Sequence, residues 1–169
     1  MNNEFYKSNR NKVLGKIKDN SLLILFAGIS PKKTADENYP FTPNRNFYYL
    51  TGIDEEEHIL VLSKINGETK EYLFIKDIDP VREKWEGKTI RKEEVFDICG
   101  IEDVKYISGF NSFIDNLILN KEEINIYLDL EKAKNVLTGK ELFNKEVFDY
   151  YEKHGKLPTA KQIGEILGV

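Results

Sequence analysis

Apolar positions fall into short blocks separated by turn residues, and the period inside each block predicts its element. Across 4–19, Phe5, Val13, Leu14 and Ile17 recur at helical spacing with Lys and Arg elsewhere. This predicts an amphipathic first helix, broken by Asp19-Asn20-Ser21. SLLILFAG at 21–28 is apolar without interruption, the pattern of a strand buried on both faces. Residues 29–43 hold Pro31, Pro40 and Pro43 and show no period; so long a connection inside a domain is usually functional or disordered. NFYYLTG at 46–52 combines aromatic β-propensity with a terminal glycine, predicting a second strand with Phe47, Tyr49 and Leu50 in the core. HILVLSKI (58–65) and EYLFI (71–75) flank Asn66-Gly67, a strong signal for a two-residue hairpin.

Beyond the hairpin, helical and extended patterns alternate. Asp79-Pro80 looks like a helix start with proline at the first helical position. A short helix is expected over 91–98, ended by Gly100, then a strand at 104–107 (VKYI). Over 108–119, Phe110, Phe113, Ile114, Leu117 and Ile118 share one helical face, and INIYL at 124–128 reads as a last strand. Further helices are expected near 131–137 and 140–153. The order predicts an α/β domain on a mixed sheet of about six strands flanked by helices. Gly155 and Pro158 mark a boundary between a domain over 1–155 and a helical tail over 156–169.

Composition narrows the partners. A chain of 169 residues suits one compact domain. The net charge of −4 argues against nucleic acid or a membrane surface as the main partner. The longest apolar run, 22–27, is far too short to span a bilayer, and the N-terminal stretch lacks a signal-peptide core. The single cysteine, Cys99, suits a reducing cytoplasm and reads as a small buried apolar residue.

The chemistry-bearing residues are sparse. His58 and His154 are the only histidines and lie far apart, so each reads as structural. Asp54-Glu55-Glu56-Glu57 reads as a solvated acidic face, since adjacent anions repel and need an outside cation to converge. No G-x-S-x-G elbow or glycine-rich phosphate loop occurs. PTAKQIGEILGV at 158–169 fits a capping box, but no recognition helix follows it in the sequence, which argues against DNA binding. Residue types alone predict a non-catalytic domain.

One combination is more specific. DENYPF (36–41), NRNFYYLTGI (44–53), the apolar run LVL (60–62), Phe74 ahead of Asp79, and WEGK (85–88) occur in that order. Together they resemble the N-terminal domain of Xaa-Pro aminopeptidases and related prolidases, over about residues 9–130. Arg45 departs from the pattern, standing where the family has a small residue, and the turn at 54–56 lacks the family's usual proline. The resemblance implies an RNase H-like α/β fold that is ancillary to a pita-bread catalytic domain absent from this chain. That domain would bind two divalent metal ions, typically manganese, through Asp, His and Glu ligands; no metal ligand or catalytic residue carries over onto these residues. The implied partners are the protein's own catalytic domain, peptides with proline at the second position, and further copies in a homo-oligomer. The loop with Asp36 and Tyr39 would face the substrate cleft, and Trp85 would reach a neighbouring subunit's cleft and pack on a proline-containing peptide. Read structurally instead, Asp36 is a turn or cap residue and Trp85 a helix residue docked on the sheet. The alternative function is a stand-alone binding or oligomerisation module.

Overall fold

A computed structural model describes residues 3–34, 37–119, 121, 123–129 and 153. The chain divides into two compact units, Met1–Asp129 and Leu130–Val169, and the fold below is that of the first. The helices expected near 131–137 and 140–153, apart from Lys153, and the boundary at 155 fall outside the described residues.

Strands β1 (Ser21–Phe26), β2 (Ile59–Ile65) and β3 (Glu68–Ile75) pair antiparallel in sequence order. The β2–β3 turn is the expected Asn66-Gly67, with φ of 52° and 76°, the left-handed pair that matches strand twist. Strand β4 (Val104–Tyr106) then adds parallel to β3, and β5 (Asn125–Leu128) parallel to β1. The sheet order is β4-β3-β2-β1-β5. Parallel additions need crossovers, supplied by α3 (Pro80–Glu86) and α4 (Lys92–Cys99) before β4 and by α5 (Phe110–Ile118) before β5.

The two-residue period of the strands sorts their apolar side chains onto both faces. Leu25, Leu60, Leu62, Leu73 and Ile75 pack with residues of α1 (Asn3–Lys16), α2 (Arg45–Thr51) and α4. Leu22, Ile24, Val61, Tyr72 and Phe74 pack with Phe110, Phe113, Ile114 and Leu117 of α5. The continuous apolar runs of β1 and β2 are the consequence of this double covering.

Two expectations are corrected here. NFYYLTG is a helix, α2, so the sheet has five strands rather than six. Asn44 Oδ1 accepts the N–H groups of Asn46 (2.8 Å) and Phe47 (3.2 Å), capping the first turn. Gly52, at φ 69°, ends the helix with its N–H on the Tyr48 carbonyl. Phe47, Leu50 and Thr51 form the buried face at helical spacing, which turns Tyr49 outward. A Cβ on Gly52 would overlap the Tyr6 ring, so glycine also lets α1 approach. In α1 the buried residues are Tyr6, Asn9, Arg10 and Leu14. Arg10, expected on the polar side, is thus inside. Cys99 is buried, as expected.

Candidate functional site

The connection between β1 and α2 folds back on itself. Tyr39 N–H donates to the Pro31 carbonyl (2.8 Å), Lys33 and Thr34 N–H donate to Glu37 (2.9 and 3.1 Å), and Lys32 bridges Asn38 antiparallel. The result is a miniature hairpin rather than a structureless loop. Tyr39 lies on its returning arm with 53% exposure. Asp36 lies outside the described residues.

Helix α3 begins where Asp79 and Pro80 predict it. Asp79 Oδ1 accepts from Val81 N–H (2.9 Å) and Arg82 N–H (3.3 Å), and Pro80 needs no partner at the first position. None of its residues is buried. Trp85 is 86% exposed, so it is not docked on the sheet. A seven-residue helix without an apolar anchor is marginal alone, and charges hold this one. Lys76 Nζ lies 3.2 Å from Glu86 and 3.5 Å from Glu57. Arg82 Nε lies 3.2 Å from Glu86. Arg91 grips Glu83 with both terminal nitrogens, at 2.8 and 2.9 Å, the bidentate geometry that gives such pairs direction. The Arg91 guanidinium, helped by the Thr89 N–H, holds the Glu83 carboxyl below its ordinary value. Lys76 and then Arg82 do the same for Glu86.

The acidic run before β2 supplies the other half of this scaffold, which corrects its reading as a solvated face. Glu56 Oε2 accepts the Ser30 N–H at 2.7 Å, tying down the start of the hairpin loop. Glu55 Oε2 accepts the Ile90 N–H at 3.1 Å, tying down the segment after α3. Glu57 faces Lys76 and Arg82. Only Asp54 remains exposed in the run. His58 is buried behind these groups; its Nδ1 accepts the Lys76 N–H (3.3 Å) and its Nε2 lies 3.5 Å from Glu55 Oε2. Burial pushes the Glu55 carboxyl up, but His58 and the Ile90 N–H outweigh it and hold the group below the ordinary value. The outside cations required for adjacent anions to converge are therefore Lys76 and Arg82, which face Glu57, while the neutral N–H donors of Ser30 and Ile90 hold Glu56 and Glu55.

The acidic turn thus clamps the Tyr39 loop on one side and the Trp85 helix on the other. Between them is a recess of about 250 Å³ lined by Phe41, Glu55, Glu56, Lys76, Glu86 and Gly87, among others. Neither Tyr39 nor Trp85 lines it; their segments border it through Phe41 and Glu86. Among the described residues, no three His, Cys, Asp or Glu side chains gather in a way that could hold a metal ion. No helix among the described residues is long and apolar enough to cross a membrane.

Compared with known proteins, residues 6–127 match the family described as aminopeptidase P, N-terminal domain. Xaa-Pro aminopeptidase of Haemophilus influenzae is 24% identical over 164 residues, covering 96% of this chain and 38% of that protein. Xaa-Pro aminopeptidase 3 of Dictyostelium discoideum is 33% identical over 107 residues, 63% of this chain and 19% of that protein. Among solved structures, a candidate aminopeptidase P from Bacillus anthracis superposes with a TM-score of 0.74 at 39% identity, covering 82% of this chain and 36% of that chain. Aminopeptidase P from E. coli with the inhibitor Pro-Leu shares the fold, with a TM-score of 0.69 at 22% identity over 86% of this chain and 34% of that chain. The chain spans well under half the length of these relatives. It belongs to the aminopeptidase P N-terminal domain family.

Proposed function

We propose that this chain is the non-catalytic N-terminal domain of an Xaa-Pro aminopeptidase, a hydrolase that removes the residue ahead of a proline. In this reading it packs on its own catalytic domain, closes one side of the substrate cleft and supports a cytoplasmic homo-oligomer. Bond cleavage belongs to the catalytic domain with its two divalent ions, manganese by family resemblance. The observation that carries the reading is Trp85, an indole left 86% exposed on a helix held by ion pairs. Exposed aromatics in fixed positions suit ligand contact, and a flat aromatic face suits a proline ring. Tyr39, at 53% exposure on the neighbouring loop, adds a second aromatic with a polar tip, and the Asp36 carboxylate would hold the peptide's α-ammonium.

The test compares this chain with the product of the full reading frame, each given an Xaa-Pro peptide and manganese. The full product should cleave the peptide and the 169-residue chain should not. Cleavage by the chain alone would overturn the reading. A reading frame that encodes no metal-binding half would replace it with a stand-alone binding or oligomerisation module.

A further inference from the structure

We propose that the polar pocket at the hairpin end of the sheet binds a small organic carboxylate with an aliphatic body. The proposal goes beyond the reading above and does not depend on it. Helix α5 ends at Ile118, and the Lys121 N–H donates to the Ile118 carbonyl (3.1 Å) where the chain turns back toward β5. A pocket of about 350 Å³ lies where this turn meets the β2–β3 hairpin, lined by Ser63, Lys70, Tyr72, Asn116, Leu117 and Lys121, among others. On the α5 face, β2 presents Ile59, Val61, Ser63 and Ile65, so one hydroxyl interrupts an apolar row. Ser63 is 3% exposed and sits between Leu22 of β1 and Lys70 of β3. Its side chain has no hydrogen-bond partner among the described residues. A buried hydroxyl costs stability when nothing matches it, and this one lines the pocket. Tyr72 is 7% exposed, with its ring held edge to face on Phe113 at 4.7 Å. It brings a second hydroxyl with no partner among the described residues.

The lining charges identify the ligand class. Lys70 is paired with Glu68 at 3.3 Å, so together they are neutral. Lys105, over the Tyr72 ring, is likewise held by Asp103 at 2.6 Å. Lys121 is half-buried, and its ammonium has no ion-pair partner among the described residues. One uncompensated positive charge suits a monoanion, whereas a dianionic phosphate would leave surplus negative charge beside Glu68. The Ser63 and Tyr72 hydroxyls and the Asn116 amide can donate to an oxyanion that Lys121 attracts, and hydrogen bonds to an ionised acceptor are the stronger kind. Ile65, Leu117 and Leu119 line the same pocket, and apolar walls with a few polar groups suit an organic ligand rather than a bare ion. A branched aliphatic acid meets both halves, with its carboxylate at Lys121 and Ser63 and its chain on the leucines.

Titrating the full 169-residue chain with isocaproate, and following its amide shifts by two-dimensional NMR, reads the site directly. Saturable shifts at Ser63, Tyr72 and Asn116 are expected, with a Kd on the order of 1 mM for so small a ligand. Isocaproamide keeps the aliphatic body and loses the charge, so it should bind at least about tenfold more weakly. Lys121→Gln should weaken isocaproate binding to the same degree, and Ser63→Ala about threefold. Ser63→Ala removes only a partnerless hydroxyl, so it tests the site without endangering the fold. No saturable shift up to about 20 mM isocaproate would overturn the proposal. Equal binding of the amide would overturn it by removing the carboxylate's part, and binding unchanged in both variants would overturn it by placing the ligand elsewhere.

Discussion

Arg10 Nη2 lies 2.9 Å from Glu71 Oε2, joining the first helix to the third strand through a guanidinium with no solvent exposure. The same group donates to the Leu50 carbonyl and the Cys99 carbonyl, both at 2.9 Å. Those carbonyls lie at the C-terminal ends of α2 and α4, where backbone acceptors lack intrahelical donors and the helix dipole favours a cation. One side chain therefore fastens three helices and the sheet.

Removing it leaves Glu71 and two carbonyls without their donor. Arg10→Met should cost about 3–5 kcal/mol, the scale for breaking a buried pair. Glu71→Gln should cost only about 1–2 kcal/mol, because the Glu71 side chain is 20% exposed and water can replace the bond. Urea denaturation of both variants would measure the difference. Equal losses would show that the Arg10 contacts to Leu50 and Cys99 contribute little.

Gly52 and Gly67 both have positive φ, 69° and 76°. A Cβ on Gly67 meets open space, whereas one on Gly52 meets the Tyr6 ring. Gly67→Ala should therefore cost about 1 kcal/mol of backbone strain. Gly52→Ala should cost more, since the buried Tyr6 must also move. Thermal unfolding of the pair isolates the overlap; equal shifts in Tm would argue that α1 yields freely.

The Glu55 carboxyl is held below its ordinary value of 4.5 in the folded protein. A depressed carboxylate contributes stability that is complete above the unfolded value and is lost as pH falls through the folded one. Stability should therefore decline below about pH 4.5. Glu55→Gln should lower stability at neutral pH and flatten that decline. Parallel pH profiles for wild type and variant would show that Glu55 does not couple folding to protonation.

Trp85 is the only tryptophan and stands clear of the core. Trp85→Ala should change folding stability by less than about 0.5 kcal/mol, and iodide should quench its fluorescence in the native chain. In the full-length protein the same change should raise KM for Xaa-Pro peptides or alter peptide-length preference. Unchanged kinetics would reject its proposed substrate contact.

Local signals were legible wherever one residue decides its neighbours' conformation. Asp79-Pro80 opened a helix, Asn66-Gly67 turned a hairpin and Gly100 ended α4, each as expected. The motifs at 36–53 and 85–88 likewise carried the family, because side chains at fixed spacing persist in the sequence whatever surrounds them. For NFYYLTG two local signals conflicted: aromatic β-propensity suggested a strand, while the Asn44 cap and the spacing of Phe47, Leu50 and Thr51 made a helix. Burial of that spacing between α1 and the sheet settled it, since propensity is the weaker term.

The sequence by itself determined the element punctuation, the doubly covered sheet and the family. Only the tertiary structure decided which charges meet. Glu57 finds Lys76 and Arg82, Arg10 finds Glu71, and Asn44 donates to Asp129 across 85 positions. Such partners are brought together by the sheet's pairing and the crossovers over it, so no window along the chain contains both. For the same reason the acidic turn looked like solvated surface until the fold placed its cations around it.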